Sequence, residues 1–197
     1  DALPILIQND QNLHAELLFK TLGKQIANKG SFEGGIMALE TFKSKAKLKT
    51  PGSRSLDGSG LSRLNRMAPQ QMVRVMKVLE DIPGGKSLLA QLPKGGMPGL
   101  LQDRFAATEE LRAAVGKVQG VAGFLPGTHT FAGSVVTANG RKLYFALMLN
   151  GSTLTKDRAR ENLDRLVLAM TKSPLPAEPG MLIPPSQPAV NRAVITD

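Results

Sequence analysis

The chain has 197 residues, 42% of them apolar, which suits one domain with a sizeable core or part of a larger one. It contains no Cys, which excludes disulfides, Cys-ligated zinc and thiol catalysis, and it has no apolar run long enough to span a bilayer. The net charge of +9 suits an anionic partner such as nucleic acid, anionic lipid or a wall polymer, but no RNA-binding aromatic pattern or zinc-finger spacing accompanies it, so nucleic acid is disfavoured.

Residues 1–8 are apolar, and the chain starts at Asp1 without Met or a signal-like region, so it reads as a mature piece or a fragment. Asn9 and Asp10 are N-cap candidates for a helix over about 11–28, in which Leu13, Leu17, Leu18, Leu22 and Ile26 lie close to one face. Gly30 ends it, and Ser31 can cap a second helix over 33–47 with Ile36, Leu39, Phe42 and Ala46 inward. Lys43, Lys45, Lys47 and Lys49 form the densest basic run, read as a solvated helix end. A loop over 48–68 leads to Pro69, placed for the first turn of a third helix reaching Asp81 on a stripe of Met72, Val75, Met76 and Leu79. Pro83-Gly84-Gly85 breaks it, a short helix spans 86–91, and 93–103 is a Gly/Pro-rich loop.

Strands are expected over 117–123, 130–138 and 141–150, the last two joined through Asn139-Gly140, a strong hairpin signal between apolar runs. A closing helix over 155–171 should bury Ala159, Leu163, Leu166, Val167 and Met170 and turn Arg158, Arg160 and Arg165 to water. Residues 173–197 carry six prolines and read as an extended or disordered tail. The order predicts an α+β fold, helices packed on an antiparallel sheet, with three strands too few to leave no edge needing cover.

The most informative stretch is Ser55-Leu56-Asp57-Gly58-Ser59-Gly60-Leu61-Ser62-Arg63. Its hydroxyls, acid and glycines make a shaped polar loop, and it lacks the Gly-Lys-Ser/Thr ending of a phosphate loop. Asp57-Gly58-Ser59-Gly60-Leu61-Ser62-Arg63, followed by Asn65 and Ala68-Pro69, resembles the signature of the class C low-molecular-mass penicillin-binding proteins, D-alanyl-D-alanine carboxypeptidases/endopeptidases that trim peptidoglycan. The resemblance implies the C-terminal portion of a penicillin-binding/β-lactamase-like transpeptidase domain over residues 1–172, from the second catalytic motif onward. It also implies an extracytoplasmic setting, a peptidoglycan stem peptide or a wall-synthesis protein as partner, and no cofactor or metal. Oligomeric state is left open.

That family needs Ser-x-x-Lys, Ser-x-Asn and Lys-Thr-Gly around one cleft. At the second motif stands Asp10-Gln11-Asn12, so Asn12 is the one retained catalytic candidate, while ionised Asp10 cannot donate as a Ser hydroxyl does. Gly99, Leu101, Arg104 and Phe105 match a further family stretch whose Asp and Thr have become Pro98 and Leu100. At the third motif stands Val121-Ala122-Gly123, followed by Phe124, with Lys117 four residues too early. The first motif is read as absent, Ser44-Lys45 and Ser53-Arg54 being discounted on spacing. Binding candidates are Asp57, Ser59, Ser62, Arg63 and Gly123. A Ser59–His129–Asp57 triad can be drawn but has little behind it.

Three functions stay open. The chain could be a non-hydrolysing wall-associated binder, the C-terminal piece of an active carboxypeptidase, or a basic binder of nucleic acid or a membrane surface.

Overall fold

Helix boundaries follow from local chemistry at several points. The computed structural model describes residues 2–106 and 108–174, so the Pro-rich tail beyond 174 lies outside the described residues. The chain begins with helix α1, Ala2–Asn9, where the sequence shows only an apolar run. Asp10 then takes a positive φ of 49°, a region that Asp and Asn tolerate better than other side chains. α2 spans Asn12–Ala27; Gln11, not Asn9 or Asp10, occupies its N-cap, without a side-chain bond. It ends on Asn28 in the left-handed region, before Gly30. Ser31 caps α3, Phe32–Lys45, its Oγ accepting from the Gly34 amide at 3.2 Å. α4 runs Pro69–Asp81 with Pro69 in its first turn, as expected, and α5 runs Gly85–Ala90. A single-turn α6, Glu109–Arg112, precedes the sheet.

Strands β1, Val118–Leu125, β2, Thr128–Val136, and β3, Lys142–Asn150, form an antiparallel sheet in the order β1-β2-β3. The first hairpin is tighter than expected. β1 extends to Leu125, which pairs with Thr128 across Pro126-Gly127, with Gly127 at φ 78°. The second turns through Asn139-Gly140 as read from sequence, with Thr137 donating its amide to the Arg141 carbonyl at 2.8 Å. α7, Lys156–Lys172, closes the described structure.

The sheet is covered on both faces. Residue alternation sends Phe131, Val135 and Phe145 to one face, where they meet Leu163, Val167 and Leu168 of α7 together with Phe105, Leu111 and Val118. Phe131 and Phe145 pack edge to face at 5.0 Å. The opposite face, through Ala132, packs on Met76 of α4 and Leu89 of α5. β1 and β2 approach so closely that a Cβ on Gly133 would lie 1.9 Å from the Gln119 carbonyl oxygen, so only glycine fits there.

α2 and α3 stand apart as a helical pair, joined to the rest through the loop 48–66. They too meet backbone to backbone: a Cβ on Gly23 would sit 2.4 Å from the Gly35 amide nitrogen. Contact through glycine and Phe19 changes which residues are inside. The α2 stripe read from sequence is not buried, with Leu13 at 70%, Leu17 at 53% and Ile26 at 59% exposure. Phe42 of α3 is also exposed, while Ile36, Leu39 and Ala46 are half-buried.

Two further assignments change. In α7, Leu166 faces water and Met170 is half-buried, while Asp164 and Leu168 take core positions. In the basic run, Lys43 is buried, its Nζ donating to Glu40 Oε1 at 3.0 Å and to Ser55 Oγ at 3.1 Å, so it fastens α3 to the loop. Lys45, Lys47 and Lys49 are exposed, as a solvated helix end requires.

Candidate functional site

The polar loop is held by two carboxylates. Asp57 accepts from the Gly60 amide at 3.0 Å, the Ser62 amide at 2.6 Å and Asn65 Nδ2 at 2.7 Å. Asn65 in turn accepts from the Leu56 amide at 2.8 Å. Glu16, on α2, accepts from the amides of Gly58 and Ser59 at 3.1 and 3.2 Å and from Ser59 Oγ at 2.5 Å. An anion receiving several N–H and O–H bonds is a strong local organiser. A Cβ on Gly58 would lie 2.3 Å from the Ala15 carbonyl oxygen, so the loop lies directly on α2. The matching sequence signature therefore builds a clamped surface. Glu16 was legible only as a helix residue, because its partners lie 42 and 43 positions away.

This loop and the start of α2 face the edge of β1 across an open cleft of about 990 Å³. Its lining brings together Asp10, Asn12, Ser59, Val121, Gly123 and Thr130. Asp57 and Ser62 line a shallower depression on the other side of the loop, with Asn12, Leu13 and Phe32. Arg63 is exposed and lines neither. Of the six site residues read from sequence, Asn12, Ser59 and Gly123 share the cleft.

β1 presents a distinct edge to the cleft. The Gly120 amide donates to the Pro93 carbonyl and the Gly95 amide to the Val118 carbonyl, both at 2.9 Å, so residues 93–95 cover the start of this edge. Alternation turns the main-chain groups of Ala122 and Phe124 outward beyond that cover. Val121 and Gly123 point their side-chain positions to the face shared with Thr130, and Val121 is 43% exposed. Phe124 lies on the other face, where its ring sits 5.0 Å from His129 and 5.1 Å from Lys156 Nζ.

The triad drawn from sequence does not assemble. Ser59 Oγ donates to Glu16, Asp57 is saturated by its loop, and His129 is buried against Phe124. Ser44 requires a correction: Lys47 stands three residues after it, so Ser44-Lys45-Ala46-Lys47 has the Ser-x-x-Lys spacing after all. Its geometry is unlike a nucleophile and base on one helical turn. Ser44 occupies the last turn of α3, Lys47 lies past the helix end at φ 54°, and both are exposed away from the cleft. Among the described residues no group of three His, Cys, Asp or Glu side chains could hold a metal ion, and no helix is long and apolar enough to cross a membrane.

Arg104 and Asp164 underlie the cleft. Arg104 Nε donates to Asp164 Oδ1 at 2.7 Å, and the guanidinium stacks over Phe131 at 4.1 Å. Phe105, at φ 65°, donates its amide to Asp164 Oδ2 at 3.3 Å. Burial pushes the Asp164 carboxyl up despite the guanidinium beside it, and burial likewise pulls Arg104 down. Asp164 thus pins the loop after Gly99 to α7. The Arg-Phe pair was legible in sequence, but its acidic partner, 60 residues on, was not.

Residues 1–172 match the D-Ala-D-Ala carboxypeptidase 3 (S13) family. Carboxypeptidase DacB of Mycolicibacterium smegmatis is 31% identical over 149 residues, 75% of this chain and 32% of that protein. D-alanyl-D-alanine carboxypeptidase DacB of Haemophilus influenzae is 28% identical over 152 residues, 77% of this chain and 31% of that protein. The crystal structure of penicillin binding protein 4 (dacB) from Haemophilus influenzae with a β-lactam superimposes with a TM-score of 0.72 at 27% identity, over 84% of this chain and 40% of that one. The chain therefore spans about a third of the length of these curated relatives. Its helices and three-stranded antiparallel sheet are part of a penicillin-binding transpeptidase fold, and the chain belongs to the D-Ala-D-Ala carboxypeptidase 3 family.

Proposed function

We propose that this chain provides the peptide-binding side of a peptidoglycan-trimming domain and does not itself hydrolyse peptides, acting as an extracytoplasmic wall-associated binder or scaffold. The observation that carries the reading is the β1 edge. Among the described residues nothing bonds the outward main-chain groups of Ala122 and Phe124, so an extended stem peptide can add along this edge as a further strand. Yet Val121 stands where the resembling motif has its anchoring Lys and Asp10 where it has its relay Ser, and among the described residues no Ser-Lys pair lines the cleft. The relay Ser and the anchoring Lys work as a unit with the nucleophile, so replacing both disables catalysis and leaves binding. Asn12 and Gly123 are the family positions that remain to contact the peptide.

A second reading has its own support. The uncovered leucine face of α2, with the chain spanning a third of its relatives, favours a portion of a larger domain whose remainder packs on that face. In that reading an upstream Ser-x-x-Lys would supply the nucleophile.

Cosedimentation of the full chain with purified sacculi tests the binding reading. The chain is expected in the pellet and is displaced by a soluble stem peptide ending in D-Ala-D-Ala. Retention in the supernatant, or pelleting that the stem peptide leaves unchanged, overturns it.

A further inference from the structure

The charge of this chain is concentrated in one segment. Residues 41–79 hold nine of the 25 Lys and Arg but only Asp57 among the 16 acids. That one acid is consumed by the loop's own amides and Asn65. Lys43 is buried on Glu40, and the remaining cations of the segment are exposed.

The fold ties the segments that carry these cations together. An antiparallel bridge joins Arg54 to Arg66 through two main-chain bonds of 2.7 and 2.8 Å. Gln71 of α4 donates to the Leu48 carbonyl at 3.0 Å and to Ser53 Oγ at 3.3 Å, tying the lysine-bearing turn to the same loop. Arg74, one helical turn on from Gln71, is exposed on α4. None of Lys45, Lys47, Lys49, Arg54, Arg63 and Arg66 enters an ion pair among the described residues, whereas the lysines and arginines of α7's face and of β3 largely do.

We propose that this face binds an anionic phospholipid surface and holds the cleft beside it. Two observations select lipid over other polyanions. Residues 41–79 contain a single aromatic side chain, Phe42 on α3, so the row of rings on which single-stranded nucleic acid stacks successive bases is missing from this segment. Leu64 stands between Arg63 and Arg66, is 57% exposed and lines neither depression, which offers an apolar tip between two guanidiniums. The reading stands independently of whether the cleft binds a stem peptide.

The test is sedimentation of the full chain with vesicles of phosphatidylglycerol and phosphatidylcholine, or of phosphatidylcholine alone. Binding is expected only with phosphatidylglycerol and weakens as salt rises. The triple variant Arg54→Gln/Arg63→Gln/Arg66→Gln should lower partitioning about a hundredfold, at about fivefold per charge. Leu64→Ser should lower it about threefold with an unchanged salt slope. All four positions are exposed, and an unchanged melting curve verifies the fold. Equal binding to both vesicle types, or a folded triple variant that binds as well as the parent, overturns the proposal. Unchanged binding by Leu64→Ser together with equal affinity for polyphosphate reassigns the face to a soluble polyanion and overturns the lipid reading.

Discussion

Asp164→Ala should destabilise the protein by about 3–5 kcal/mol, read as a lower urea midpoint in equilibrium unfolding. The substitution leaves Arg104 buried with its charge uncompensated. It also frees the Phe105 amide, which holds that residue at a positive φ. Burial disfavours the charged form of both partners, so the pair serves more to position the loop than to stabilise the fold. The double variant Arg104→Met/Asp164→Leu should therefore recover the part of the loss due to the uncompensated charge, since apolar residues of similar volume often replace a buried ion pair without penalty, while the Phe105 amide stays unpaired. If Asp164→Ala unfolds at the parent's midpoint, the buried pair is not the fastening described here.

Gly58→Ala should cost about 3 kcal/mol, combining overpacking with the loss of hydrogen bonds to a charged acceptor. The new Cβ would lie 2.3 Å from the Ala15 carbonyl oxygen, a main-chain atom that cannot swing aside. The loop must lift from α2, and Glu16 then loses the amides of Gly58 and Ser59 and the Ser59 hydroxyl. Gly30→Ala is the control. Its Cβ would meet nothing nearer than Lys24 Cβ at 3.8 Å, and its φ lies outside the left-handed region, so it should unfold with the parent. Thermal melts of the three proteins, with amide hydrogen exchange over residues 56–66, check both halves of the expectation.

Local signals were legible where chemistry is local. Pro69 and Asn139-Gly140 mark a helix start and a hairpin because they act on their own backbone. The run Asp57 to Arg63 reads as a shaped loop for the same reason. What escaped depends on partners far along the chain. Glu16 and Asp164 look like ordinary helix acids until folding places amides and a guanidinium against them. Lys43 looks like one of four solvated lysines until Ser55 and Glu40 close around it. Periodicity located α2 correctly but cannot say which face meets the rest of this chain. Glycines and Phe19 make the contact with α3, and the leucine face stays open. Pro126-Gly127 was missed as a two-residue turn because β1 runs through exposed Phe124, which interrupts the expected alternation.

The central claim is that the family scaffold persists here without the machinery for acyl transfer. Intact-mass measurement of the folded chain after incubation with benzylpenicillin tests it most directly, with a melting curve recorded on the same sample. A cooperatively melting chain with no mass increase is the predicted result. A stoichiometric acyl adduct would contradict it, and peptide mapping would then begin at Ser44, which has Lys47 three residues on, and at Ser59, which faces the cleft beside Glu16.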